Sequence, residues 1–383
     1  MGWGKKNLWS GAAAFFITST NLLNAADEPQ LLNLEHRVSS LEQRKASKGI
    51  VNPPERPIVK NGFNLFFQGD VLIWQASEPD LGYAVKNKNG STYINDGRVV
   101  KPYLNWDWGF KLAVGSNMLH DGWDVLLQWT RFYSLNSEHG VSAKPGGVIY
   151  PTYANAALAT DGSTPGPLQS GFQGASAYWK LRLNLLDLEL GREFYVSKWL
   201  MLRPHAGFRS AWLRQRFNVN YNNGTISPSL TGQHISVRMR NNFWGLGVRG
   251  GLDAHWLLGG NVSVFSDLAT AILLGHFQIE QFETRSSASP GEPRLNVEEW
   301  FQAARASLDI AAGLCYEDLI CHDRYGLTFR LAWEQQLFFN QNQLMKFPAT
   351  SGAVAGQHYP GLLISNDGDL STQGVTFSVR LDF

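Results

Sequence analysis

From Phe63 to the C-terminus, apolar and polar residues alternate with a period of two, the pattern of strands with two chemically different faces. In the clearest stretch, Trp106, Trp108, Phe110, Leu112 and Val114 share one face; Asn105, Asp107, Gly109, Lys111 and Ala113 share the other. The pattern recurs at Trp123, Val125, Leu127 and Trp129, at Trp179, Leu181, Leu183 and Leu185, and at Leu200, Leu202, Ala206, Phe208 and Trp212. It returns at Trp244, Leu246, Val248, Leu252 and Trp256, at Leu327, Phe329, Leu331 and Trp333, and from Val375 to Phe383. At Leu185-Leu186 the phase slips, as it would at a β-bulge. Weaker strands at 63–73, 262–279 and 300–314 bring the count to about ten, within a range of about 10–16 if the loops extend hairpins.

Alternation alone does not tell a soluble sandwich from a membrane barrel, in which the apolar face meets lipid and the polar face lines the lumen. Aromatic placement separates them. Trp129, Trp179, Trp212, Trp244, Trp300 and Trp333 fall at one set of strand ends; Trp123, Trp256, Tyr325 and Phe383 fall at the other. These predict two girdles at the headgroup levels. Loop lengths also alternate. Segments 115–122, 194–199, 257–261 and 315–325 are short, whereas 77–104, 133–174, 215–241, 281–299 and 335–370 are long. Short periplasmic turns and long extracellular loops belong to an all-β, closed antiparallel transmembrane β-barrel.

The N-terminus predicts export. Lys5 and Lys6 precede an apolar run at 8–17 and a small-residue stretch ending Ala25-Ala26, a secretory signal peptide over residues 1–26. Leu31, Leu34, Val38 and Leu41 are spaced 3, 4, 3 and predict a short coiled-coil-like periplasmic helix within 27–49. It reads equally as an oligomerisation helix or as an amphipathic helix lying against the barrel. Pro53, Pro54 and Pro57 make 50–61 a linker, leaving 62–383 for the barrel. The predicted location is the bacterial outer membrane.

Only 17% of the 383 residues are charged and 13% are aromatic, which excludes disorder; a net charge of +1 gives no reason to expect nucleic acid. The predicted inward face carries Lys111, Lys180, Arg182, Arg203, His205, Arg209, Arg249, His255, Arg330 and Arg380. Its acids are Asp107, Asp124, Asp187, Glu189, Asp253, Asp309 and Glu334. This set reads as a charged pore wall with weak anion preference, or as a salt-bridged plug. Cys315 and Cys321, in an exported chain, predict a disulfide across a turn, with free thiols or intermolecular pairing as alternatives. Gly245-Leu-Gly-Val-Arg-Gly250 spells a dinucleotide motif but lies inside a strand, where glycines relieve crowding. Neither cofactor nor metal is expected. His205, His255 and Asp253 face inward with no recognisable Ser nucleophile, so a barrel protease or lipase is the weakest reading and no enzyme is expected.

The block Asn105–Gly115, with His120–Val125, Trp129–Phe132, Gly69–Ala76 and the Phe-ending last strand, resembles the pore-forming major outer membrane proteins of Legionella and chlamydia-like bacteria. The resemblance runs from about residue 60 onward. It implies an abundant porin-like channel for passive diffusion of ions and small hydrophilic solutes, which is also a surface protein and can form a homotrimer. The chlamydial branch is cysteine-rich and cross-links its envelope; two cysteines depart from that pattern. Expected partners are outer-membrane lipid and lipopolysaccharide, and the barrel-assembly machinery, which would read the strand ending at Phe383. The alternative is a non-conducting barrel acting as an adhesin or structural envelope protein.

Overall fold

The computed structural model describes residues 59, 62–87, 97–118, 121–135, 138–145, 147–154, 171–224, 232–286, 293–346, 364–365 and 368–383. All of them belong to the unit Pro54–Phe383. The expected signal peptide, helix and nearly all of the linker lie outside the described residues.

Ten long strands form the wall: β1 (Leu65–Ser77), β2 (Trp106–Asn117), β3 (Trp123–Leu135), β4 (Gly174–Arg192), β5 (Leu200–Gly224), β6 (Gln233–Gly259), β7 (Val262–Arg285), β8 (Pro293–Ile320), β9 (Tyr325–Asn342) and β10 (Gly368–Asp382). Each pairs antiparallel with its sequence neighbour, and β10 pairs with β1 from Phe66↔Asp382 to Ser77↔Ser371. The sheet therefore closes, and no long edge is left for a solvent that cannot hydrogen-bond it. Among the described residues there is no helix.

The wall is uneven. β4–β8 run 19 to 28 residues, whereas β1–β3 run 12 or 13. Along β6, Trp244 and Trp256 bracket the lipid-facing band. Their twelve-residue separation, at ~3.3 Å per residue and a tilt of ~45°, spans about 28 Å, the thickness of a hydrocarbon core. The remaining length of β4–β8 projects beyond the long-loop end of that band.

Projection inverts the side-chain chemistry. Within the band, Leu186, Leu188, Leu190, Phe208, Leu246, Val248 and Ile272 point outward and are exposed. Above it, Trp179, Leu181, Leu183, Leu213, Phe217 and Phe277 point inward and are essentially fully buried, as are Leu185 and Leu273 just inside its upper edge. The reason is the solvent: lipid rewards an apolar exterior, and water beyond the headgroups rewards an apolar interior. β4 makes the switch without a bulge. Its pairing with β5 runs unbroken through Ser210↔Leu186 and Ala211↔Leu185. The apparent phase slip at Leu185-Leu186 is thus a change of environment on a regular strand, which corrects the bulge expected from sequence.

Candidate functional site

The lumen is where the charged residues meet. Because each strand alternates strictly, Lys111, Arg203, His205, Arg209, Arg249, Asp253, His255, Arg330, Glu334 and Arg380 all line one interior cavity. Lys180 and Arg182 do not. They lie on the outward parity of β4, opposite buried Trp179, Leu181 and Leu183, on the projecting part of the wall. Their expected pore-lining role is corrected for that reason. Trp179 is corrected with them: it is fully buried and donates from Nε1 to Gln215 Oε1 at 3.3 Å, so it belongs to the interior rather than a girdle.

The other expected girdle residues lie on the outer wall. Trp244, Trp256, Trp300 and Trp333 are about half exposed or more. Trp123, Trp129 and Trp212 share their outward parity. Phe383 meets Tyr325 and Phe67 at ring separations of 5.8 Å at the opposite end, that of the short turns. Trp106 and Trp108, missing from the sequence-based girdle, join it at 51% and 73% exposure.

Inside, ion pairs link the strands, several of them across strands that are not neighbours. Lys111 on β2 reaches Glu334 on β9 at 2.5 Å. Arg209 on β5 grips Asp187 on β4 through two bonds of 2.7 and 2.8 Å and reaches Asp309 on β8 at 2.6 Å. Arg249 ties Glu189 to the same Asp309 at 2.6 and 3.0 Å. Arg203 joins Asp124 on β3 at 2.5 Å to Asp253 on β6 at 2.7 Å. Arg330 holds Asp267 at 2.7 Å. Arginine suits these places, since its planar fork binds two carboxylates while staying charged. The space left among these groups is about 180 Å³.

Several partners were missed in the sequence: Asp70, Glu193, Asp267, Glu317 and Asp382 also line the cavity. Their signal was parity with residues already assigned, as Asp267 shows between outward Val264, Leu268 and Ile272. With these acids counted and Lys180 and Arg182 removed, ten carboxylates line the cavity against six Lys and Arg. The charge excess behind the expected anion preference is therefore reversed.

Above the charged level the interior is closed by packing. Trp74 donates to Thr376 Oγ1 at 3.1 Å and packs at a tilt against Phe132, ring centres 5.6 Å apart. Segments of the long loops fold in on top. Tyr221 donates to the Tyr83 carbonyl at 2.6 Å, and Tyr153 packs edge-on against Phe217. Tyr83, Tyr153, Phe172 and Tyr221 are all essentially fully buried. Between the two layers, just beyond the end of β1, Glu78 accepts from Gln215 Nε2 at 2.9 Å, and burial pushes its carboxyl up to about 8.

The remaining motifs resolve simply. Cys315 is buried on β8, Cys321 is exposed in the turn, and both are free, so the expected disulfide is corrected. The β8 strand aims Cys315 into the lumen while the turn carries Cys321 away. Gly247 of the glycine motif lies mid-strand, where a Cβ would strike the Ile272 carbonyl of β7. His255, Cys315 and Glu317 bring ligand atoms within 4.8 Å of one another, a grouping invisible in sequence because two strands supply it. Arg330 and Arg380 line the same cavity and oppose a cation there. His205 lies 3.4 Å from both Glu189 and Asp253, buried within the network.

Solved structures similar to this one include the outer membrane protease OmpT of Escherichia coli, with 10% identity, a TM-score of 0.36, and coverage of 86% of this chain and 99% of that one. A FadL homologue of Pseudomonas aeruginosa matches with 8% identity, a TM-score of 0.25 and coverage of 84% and 90%. A major outer membrane protein of Thermus thermophilus matches with 16% identity, a TM-score of 0.24 and coverage of 64% and 97%. A search of curated proteins finds no match. The profile of the Legionella pneumophila major outer membrane protein precursor matches residues 55–383, which includes the whole barrel. With that match and a closed ten-stranded barrel, the chain belongs to the Legionella major outer membrane protein family and is an outer-membrane protein.

Proposed function

We propose that this protein is an occluded surface barrel, working through its outer wall and extracellular loops rather than as an open diffusion channel. The observation that carries the reading is the crossing of the lumen by ion pairs between non-adjacent strands, Lys111–Glu334 and Arg209–Asp309 above all. Buried side chains and inward loop segments stack above them. Diameter grows with strand number, and ten strands leave little room once side chains are in place. His205, buried between Glu189 and Asp253, is read here as a structural member of this network.

The test is planar-bilayer conductance of folded protein under a salt gradient. A silent membrane is expected. Reproducible channel steps would overturn the occluded reading. One observation favours a second reading, a narrow path for small ions: the ten carboxylates around the residual cavity. Such a path would give a cation-selective reversal potential. The strand ending at Phe383 is proposed as the handle for barrel assembly, and a homotrimer as its assembled form.

A further inference from the structure

The outer wall of β4, β5 and β6 carries a cationic groove that the lumen does not explain. Cross-strand register sets Lys180 opposite Arg216, Arg216 opposite Arg240, and Arg182 opposite Arg214. All five side chains line one outward groove of about 820 Å³, with Trp212 and Trp244 at its membrane edge. Like charges facing each other across a sheet are destabilising unless an anion lies between them. Arg240 has such a partner in Glu280 at 2.9 Å. Among the described residues, no carboxylate forms an ion pair with Lys180, Arg182, Arg214 or Arg216. Arg182 lies over the Tyr133 ring at 5.7 Å, which orients it without neutralising it.

Depth identifies what fits. The cations stand one and two cross-strand rows beyond Trp212 and Trp244, and those tryptophans mark the extracellular end of the lipid-facing band. That is the headgroup level of the outer leaflet. Arginine forks match phosphate oxygens in pairs, and Trp212, Trp244 and Leu274 offer an apolar floor beneath. We infer that this groove binds the phosphorylated headgroup of an outer-leaflet glycolipid, with Lys180, Arg182, Arg214 and Arg216 on the phosphates and its acyl region against Trp212 and Trp244. The site is independent of conductance.

The test measures binding of bisphosphorylated lipid A and its dephosphorylated form to the folded, detergent-solubilised protein by native mass spectrometry. The phosphorylated form is expected to bind at least about tenfold more tightly, weakening as salt rises from about 0.1 to about 1 M. The variant Lys180→Gln/Arg182→Gln/Arg214→Gln/Arg216→Gln should lose that preference. The charge-matched control Arg98→Gln/Lys101→Gln/Lys144→Gln/Lys198→Gln, at exposed positions elsewhere, should keep it. Equal binding of the two lipids, no salt dependence, or equal loss in both variants overturns the site. Displacement of lipid A by inorganic phosphate at equal concentration overturns the lipid assignment in favour of a free anion. If the quadruple variant does not fold, the wild-type lipid comparison and salt series still decide.

Discussion

Replacing Trp179 by alanine tests the inversion of the barrel most directly. On a lipid-facing wall the ring would be exchanged for acyl chains, and little would be lost. Here it is fully buried among Leu181, Leu183, Leu213 and Phe217, all fully buried themselves. A buried Trp removes about 200 Å² from water, worth roughly 5 kcal/mol at ~25 cal/mol/Å². Alanine recovers a small part of that. The neighbours are held by continuous pairing of β4 with β3 and β5, so the wall does not collapse into the space. The bond to Gln215 is lost as well, about 1 kcal/mol. A cost of about 3–5 kcal/mol follows, a drop in the folded-to-unfolded ratio of hundreds-fold or more. Trp244, 50% exposed on the outer wall, is the control, because lipid refills the space its ring vacates. Urea unfolding of both variants in phospholipid vesicles, followed by tryptophan fluorescence, measures the difference. With m unchanged, Trp179→Ala should shift the midpoint at least twice as far as Trp244→Ala. Equal shifts, or a larger one for Trp244→Ala, would refute the inward placement.

Arg209→Ala should cost about 3–5 kcal/mol in the same assay, because it strips a nearly inaccessible cation from Asp187 and Asp309. Arg209→Ala/Asp187→Ala should cost less than the sum of the single changes; additivity would show that the network is not energetically connected. Glu78 holds its proton more tightly folded than unfolded, with about 8 against 4.5. The part of the stability that Glu78 contributes should therefore be fully present below about pH 4.5, be lost by up to roughly 5 kcal/mol as pH rises to about 8, and then level off. Glu78→Gln should flatten that part of the urea-midpoint profile and be more stable than wild type at alkaline pH; an unchanged slope would refute the burial argument. A thiol reagent should modify Cys321 in folded protein and Cys315 only after unfolding, with no mobility change on reduction. Protection of both thiols would point to the disulfide.

Period-two alternation was enough to find the ten strands, because a strand between lipid and lumen must repeat its two chemistries every second residue. The run Trp106–Val114 shows it, as do the short turns that join strand pairs at one end. Alternation also gave the inward parity of Arg203, Arg209 and Arg249. It did not give the direction of Trp179, Leu181 and Leu183. Their pattern equals that of a lipid-facing strand, since alternation reports that one face is apolar and not which side it meets. Only the register of β4 against β5, and the height of each residue relative to the lipid-facing band, set Trp179 inside and Lys180 outside. The ion pairs were out of reach for a related reason. Lys111 and Glu334 lie 223 positions apart and meet only because β10 closes on β1. What the sequence determined by itself was the membrane barrel and its two faces, because the solvent on each side selects residues locally. What the tertiary structure alone decided was which polar groups neutralise one another across the lumen, because those distances exist only once the sheet has closed.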